Sequence, residues 1–96
     1  MVSPSEPKTQ VTVYWRPGCP YCMRLRLGLR LARVRTVEVN IWEQPDGAAA
    51  VRAATGGDET VPTVRVGTSV LVNPPTRRVL AELRRQRGTA GHRGEV

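Results

Sequence analysis

The feature that most narrows what this chain can fold into is an early strand–helix–strand run. Residues 10–15 (QVTVYW) are β-branched and aromatic, and Pro17-Gly18 ends them. From residue 20 to about 33 the apolar period becomes helical. Met23, Leu27, Leu31 and Val34 form one row, Leu25, Leu29 and Ala32 a second, and Arg26, Arg30 and Arg33 take the wet stripe left over. A helix so apolar around its girth is expected to pack against a sheet and something else besides. Residues 35–41 (RTVEVNI) then alternate as a strand, with Val37, Val39 and Ile41 on one side. Two strands joined through a helix pair in parallel with a right-handed crossover.

The rest of the chain adds to this unit. Pro45 opens a short Ala-rich helix over about 46–54, which Gly56-Gly57 stops. Residues 62–66 and 69–72 are short strands joined at Gly67-Thr68, a hairpin signal. Asn73-Pro74-Pro75 breaks the second strand, and a helix follows over about 76–87 with Val79, Leu80 and Leu83 inward. The order β-α-β-α-β-β-α predicts an α/β fold, a four-stranded mixed sheet flanked on both faces by three helices. The expected organisation is a flexible lead-in over 1–9, one folded domain over 10–87 and a flexible tail over 88–96, with no internal repeat.

Composition sets the depth of the core. The 96 residues hold 22 Val, Leu and Ile and no Phe, only just above the proportion at which a charged chain stays disordered. A modest core of Val and Leu is expected. The net charge of +7 comes from 14 Arg against the single Lys8, a bias that reads as codon usage of a GC-rich genome more than as a demand of the fold. No apolar run approaches the ~18 residues of a membrane span. Residues 1–8 have neither the basic nor the apolar region of a secretory signal, so a soluble, cytoplasmic protein is expected.

Cys19 and Cys22 are the only cysteines, separated by Pro20-Tyr21. In a reducing compartment such a pair is a poor structural staple, and the loop it closes is tiny. Half of a metal site is the rival reading, but four ligands are needed and the one histidine, His92, is remote. Redox chemistry is favoured, with no metal. Cys19 falls where the first strand gives way to the first helix. There, backbone N–H groups and the positive end of the helix dipole favour thiolate. Pro20 suits the first helical turn. Cys22 lies one turn further in, beside Cys19 and facing the core. The expectation is one exposed, activated sulfur and one shielded sulfur able to resolve a mixed disulfide.

The run WRPGCPYC after a strand, TVPTV (Thr60 to Val64) before a hairpin, and the element order together resemble a glutaredoxin of the thioredoxin superfamily. The resemblance spans residues 10–87. It implies a thioredoxin-like fold, a redox-active Cys19–Cys22 disulfide, a cis-proline at Pro62, and a Val61 backbone that pairs with the bound thiol. Glutathione-using members follow the hairpin with two glycines and an acid that grips the glutathione ammonium. Here Val72-Asn73 and Thr76-Arg77 stand in those places. The stretch VLVNPPTRRVLAEL and the Gly-Gly-Asp-Glu ahead of TVP are instead similar to the mycoredoxins, which use mycothiol, an acetylated cysteine on a neutral sugar–inositol. Pro20 departs from them, for they usually carry Gly after the first cysteine.

The resemblance implies a thiol–disulfide oxidoreductase that reduces mixed disulfides between proteins and a low-molecular-weight thiol, mycothiol ahead of glutathione. No tightly bound cofactor is expected. Two alternatives are a dithiol electron donor fed by thioredoxin reductase, of the ribonucleotide-reductase type, and an iron–sulfur carrier. Its partners would be protein mixed disulfides, the small thiol and a disulfide reductase system, and a monomer is expected. The candidate thiol-binding residues are Arg16, Pro20, Tyr21, Thr60, Val61, Pro62, Asn73 and Pro74. Asn73 could alternatively cap the last helix, and Arg16 could be a solvated loop residue. Trp15 and Trp42 read as packing residues. Arg77, Arg78, Arg84, Arg85 and Arg87 could meet phosphates, but with no recognition motif and only four aromatics, nucleic acid is not expected.

Overall fold

The computed structural model describes residues 9–92, in the order β1 (Val11–Trp15), α1 (Pro20–Leu31), β2 (Thr36–Asn40), α2 (Pro45–Thr55), β3 (Thr63–Val66), β4 (Ser69–Val72) and α3 (Thr76–His92). The sheet order is β2-β1-β3-β4. β2 runs parallel to β1, while β3 and β4 are antiparallel to their neighbours. The mixed four-stranded sheet with three helices is the architecture predicted.

Alternation along β1 divides the core into two. Val11 and Val13 pair with Val66 and Val64 and pack with Leu71 against Leu25 and Leu29 of α1 and Val79 and Leu83 of α3. Burying a side chain of this kind contributes roughly 1.5–3 kcal/mol. The second cluster joins Cys19, Cys22, Ile41, Ala48, Val51 and Val61, with Tyr14 and Trp15 alongside. Gly47 lets α2 sit close on the sheet, since a Cβ there would come within 2.5 Å of a Val39 methyl. Both cysteines therefore lie in the cluster that also includes the residue after β2, α2 and the residue before Pro62.

A polar staple that the apolar pattern does not reveal ties the hairpin to α3. The buried Glu82 carboxylate accepts from Ser69 at 2.9 Å and from Gln86 at 2.8 Å, and pairs with Arg85. Gln86 also donates to the Val66 carbonyl at 2.9 Å. These bonds hold the Glu82 carboxyl down at about 2, Arg85 first, then Gln86 and Ser69.

Three expectations are corrected. Met23, Leu27 and Leu31 are 51%, 53% and 73% exposed, although the sequence pattern placed them on an apolar packing face. Only one row of α1 can face the sheet, and Leu25 and Leu29 fill it from roughly the opposite side of the helix. Trp42 is 66% exposed and is not a packing residue. The backbone turns sharply after β2, with Glu43 and Gln44 N–H on the Asn40 carbonyl and Trp42 N–H on its side chain, which carries the indole outward. Finally, α3 continues to His92, past the expected end at residue 87. A glycine such as Gly88 costs a helix only about 1 kcal/mol. Residues 1–8 and 93–96, which hold all but Thr9 of the expected lead-in and the end of the expected tail, lie outside the described residues. No described helix is long and apolar enough to cross a membrane.

Candidate active site

The chain leaves β1 at Trp15, turns at Gly18 (φ +79°) and enters α1 with Cys19 as the N-cap and Pro20 in the first turn. The N-cap is where a side chain meets helix N–H groups that have no carbonyl partner. Cys19 Sγ accepts the Cys22 backbone N–H at 3.3 Å, a thiol in the role usually taken by Ser or Asp. Cys19 is 5% exposed and Cys22 0%. Cys19 is thus recessed where the sequence suggested an exposed sulfur, because Val61 and the α2 cluster close over its flank.

The two thiols are pushed apart in acidity. Burial works against ionising Cys19, but the Cys22 side chain, the Cys22 and Tyr21 backbone N–H groups and the Arg16 charge outweigh it, so its pKa is lowered. Burial and the Cys19 sulfur push Cys22 up to about 12. Cys19 is therefore the more easily ionised of the two, while Cys22 stays protonated.

The Val61-Pro62 bond is cis, as the family resemblance implies. It presents the Val61 carbonyl to Cys19 Sγ at 3.9 Å. Thr63 Oγ1 donates to the Thr60 carbonyl at 2.8 Å, and the Asn73 N–H to the Pro62 carbonyl at 2.7 Å. This last bond places the segment after β4 against the loop that faces Cys19.

A groove of about 260 Å³ lies between that segment and α1, lined by Tyr21, Arg24, Leu25, Asn73, Pro74, Pro75 and Thr76. It contains no carboxylate. Of the candidate thiol-binding residues, Tyr21, Asn73 and Pro74 line it; Arg16 belongs to the turn before Cys19, Pro20 to the first turn of α1, and Thr60, Val61 and Pro62 to the facing loop instead. Asn73 has a positive φ of 52° and lies three residues before the start of α3. The Arg78 and Val79 N–H groups bond to the Pro75 carbonyl. Arg24 and Thr76 complete the groove. The sequence reading passed over Arg24, yet it follows Tyr21 by three residues and so shares its face of α1. Gly28 lies behind Thr76, where any Cβ would overlap the threonine side chain. Among the described residues, no three His, Cys, Asp or Glu gather as metal ligands.

An N-cap thiol of lowered pKa, one turn from a protonated thiol and facing a backbone carbonyl, with a groove lined by the Tyr21 between them, can exchange disulfides. The thioredoxin-like fold and this site define a thiol–disulfide oxidoreductase. Residues 11–71 match the glutaredoxin family. The chain is 38% identical over 74 residues to a protein of Mycobacterium tuberculosis assigned to the glutaredoxins, an alignment covering 76% of this chain and 88% of that one. Its fold is similar to a glutaredoxin of Archaeoglobus fulgidus (TM-score 0.65, 24% identity, 80% of this chain and 87% of that one). It is also similar to the holo form of glutaredoxin C1 of the poplar Populus tremula x tremuloides (TM-score 0.57, 26% identity, 85% and 79%). The chain belongs to the glutaredoxin family.

Proposed function

We propose that this glutaredoxin reduces mixed disulfides between proteins and mycothiol, with Cys19 as nucleophile and Cys22 as resolving thiol. The observation that carries the choice of thiol is the groove's lining, which offers Arg24, Asn73 and Thr76 but no carboxylate. The ammonium of glutathione would find no counter-charge there and would meet Arg24. Mycothiol's neutral sugar–inositol asks only for hydrogen-bonding groups, which Asn73 and Thr76 supply.

The Cys19 thiolate attacks one sulfur of the mixed disulfide and forms a Cys19–thiol disulfide. The protein sulfur leaves as thiolate and takes a proton. A second small thiol then attacks the adduct and releases an oxidised thiol pair; alternatively, Cys22 loses its proton and displaces the small thiol, closing a Cys19–Cys22 disulfide that two further thiols reduce. Arg16 supports the thiolate, Tyr21 borders the bound thiol, and Val61 and Pro62 with Thr60 shape the facing backbone. A monomer in the reducing cytoplasm suits this chemistry.

The test is a reduction assay with mycothiol, glutathione, or thioredoxin reductase with NADPH as sole electron donor. Mycothiol should sustain the fastest turnover. Preference for thioredoxin reductase would make the protein a dithiol donor, and equal use of both small thiols would remove the mycothiol assignment.

A further inference from the structure

Met23, Leu27 and Leu31 follow one another at four-residue spacing on the outside of α1, each at least half exposed. The row runs about 12 Å along the helix and starts four residues from Cys19. Arg24 and Arg30 flank it, and no Asp or Glu occurs between Cys19 and Val37. Arg26 is neutralised by Glu38 at 2.8 Å and stacked 4.1 Å from the Trp15 ring centre. Arg24, Arg30, Arg33 and Arg35 have no ion-pair partner among the described residues.

We propose that this outer face of α1 is a docking strip for protein partners presenting an apolar ridge bordered by carboxylates. Apolar contact along Met23, Leu27 and Leu31 supplies the attraction, and the unpaired arginines select the acidic border. The position selects the class of occupant. A protein seated on the strip is held next to Cys19, where its disulfide can be reached, whereas a lipid surface brings no disulfide. A second copy of this chain would bring arginine against arginine. The inference rests on the reading of Cys19 as nucleophile, so binding and turnover are tested separately.

The probes are two fluorescent helical peptides with one apolar ridge, bordered by Glu in one and by Lys in the other, each with its single cysteine blocked. Anisotropy titration at low salt should give at least tenfold tighter binding of the Glu peptide. Leu27→Gln/Leu31→Gln should lose most of that affinity, and Arg30→Glu should reverse the peptide preference. Neither variant should change reduction of a small mixed disulfide, and circular dichroism melts should stay close to wild type. Equal binding of the two peptides, or a double variant that binds as well as wild type, would overturn the proposal. So would sedimentation with anionic phosphatidylglycerol vesicles, or dimerisation, that the double variant abolishes. If the small mixed disulfide is not turned over while the peptide preference holds, the docking strip stands and the catalytic reading fails.

Discussion

The Cys22 backbone N–H points at Cys19 Sγ across 3.3 Å, while the Cys22 side chain itself is fully buried. The same residue therefore stabilises its neighbour's charge and is prevented from carrying one. This divides the labour between two sulfurs only three residues apart in sequence, and it makes the order of ionisation measurable.

Iodoacetamide alkylation of Cys22→Ser should therefore show a pH midpoint below the free-thiol value of about 8.5. Serine keeps both the backbone amide and a side-chain donor, so the main supports of the thiolate survive. Arg16→Ala should move the midpoint upward, because the arginine charge favours the ionised form. In Cys19→Ser, Cys22 should still resist alkylation through pH 9, because burial, the first cause of its raised pKa, is unchanged, and all turnover should cease. A Cys19 midpoint at or above the free value would remove the activation argument.

Gly28 and Thr76 should prove coupled. Gly28→Ala gains up to about 1 kcal/mol of helix propensity, but its methyl overlaps Thr76, and overpacking of this kind costs about 1–3 kcal/mol. A net loss of roughly 1 kcal/mol should appear in urea unfolding. Adding Thr76→Ala should recover most of it, and a double-mutant cycle gives the coupling directly. Additive effects would show that α1 and α3 adjust independently.

How much of this was legible in the sequence depended on the kind of signal. Spacing and turn residues were enough for the sheet order's elements, the helix start at Cys19 and the hairpin at Gly67. The apolar period could not say which row of α1 faces inward, because Met23/Leu27/Leu31 and Leu25/Leu29 are equally hydrophobic; packing alone decides. Glu82 was invisible for the opposite reason. A carboxylate in the last helix reads as solvated until the folded chain brings Ser69 and Gln86 to it. Arg24 was missed because a groove wall is made by two segments about fifty residues apart.

Glu82 should give stability a distinct acid dependence. Its pKa falls from an ordinary 4.5 to about 2 on folding. A depressed carboxylate stabilises the fold fully above its unfolded pKa, and that stabilisation fades as pH drops from about 4.5 toward 2. Glu82→Gln should therefore lower Tm at pH 7, with the gap to wild type closing across that window. A gap independent of pH would assign the loss to packing instead of charge.

Thiol choice should be readable as a ratio of kcat/KM. A glutathione mixed disulfide presents an ammonium and two carboxylates, whereas the groove between Tyr21 and Thr76 answers only with Arg24 and neutral groups. An ammonium left unpaired forfeits a charge-assisted hydrogen bond of about 1.5–3 kcal/mol. At ~1.4 kcal/mol per decade this is roughly ten- to a hundredfold. Mycothiol mixed disulfides should thus be reduced at least tenfold faster in kcat/KM. Thr76→Asp puts a carboxylate into the groove at the first turn of α3, where the helix N-terminus tolerates it. It should narrow the gap by improving glutathione use while leaving the Cys19 alkylation midpoint below the free-thiol value. Improvement with both thiols alike would mean that the aspartate acts on Cys19 and not on the ammonium, and the groove would lose its role in selecting the thiol.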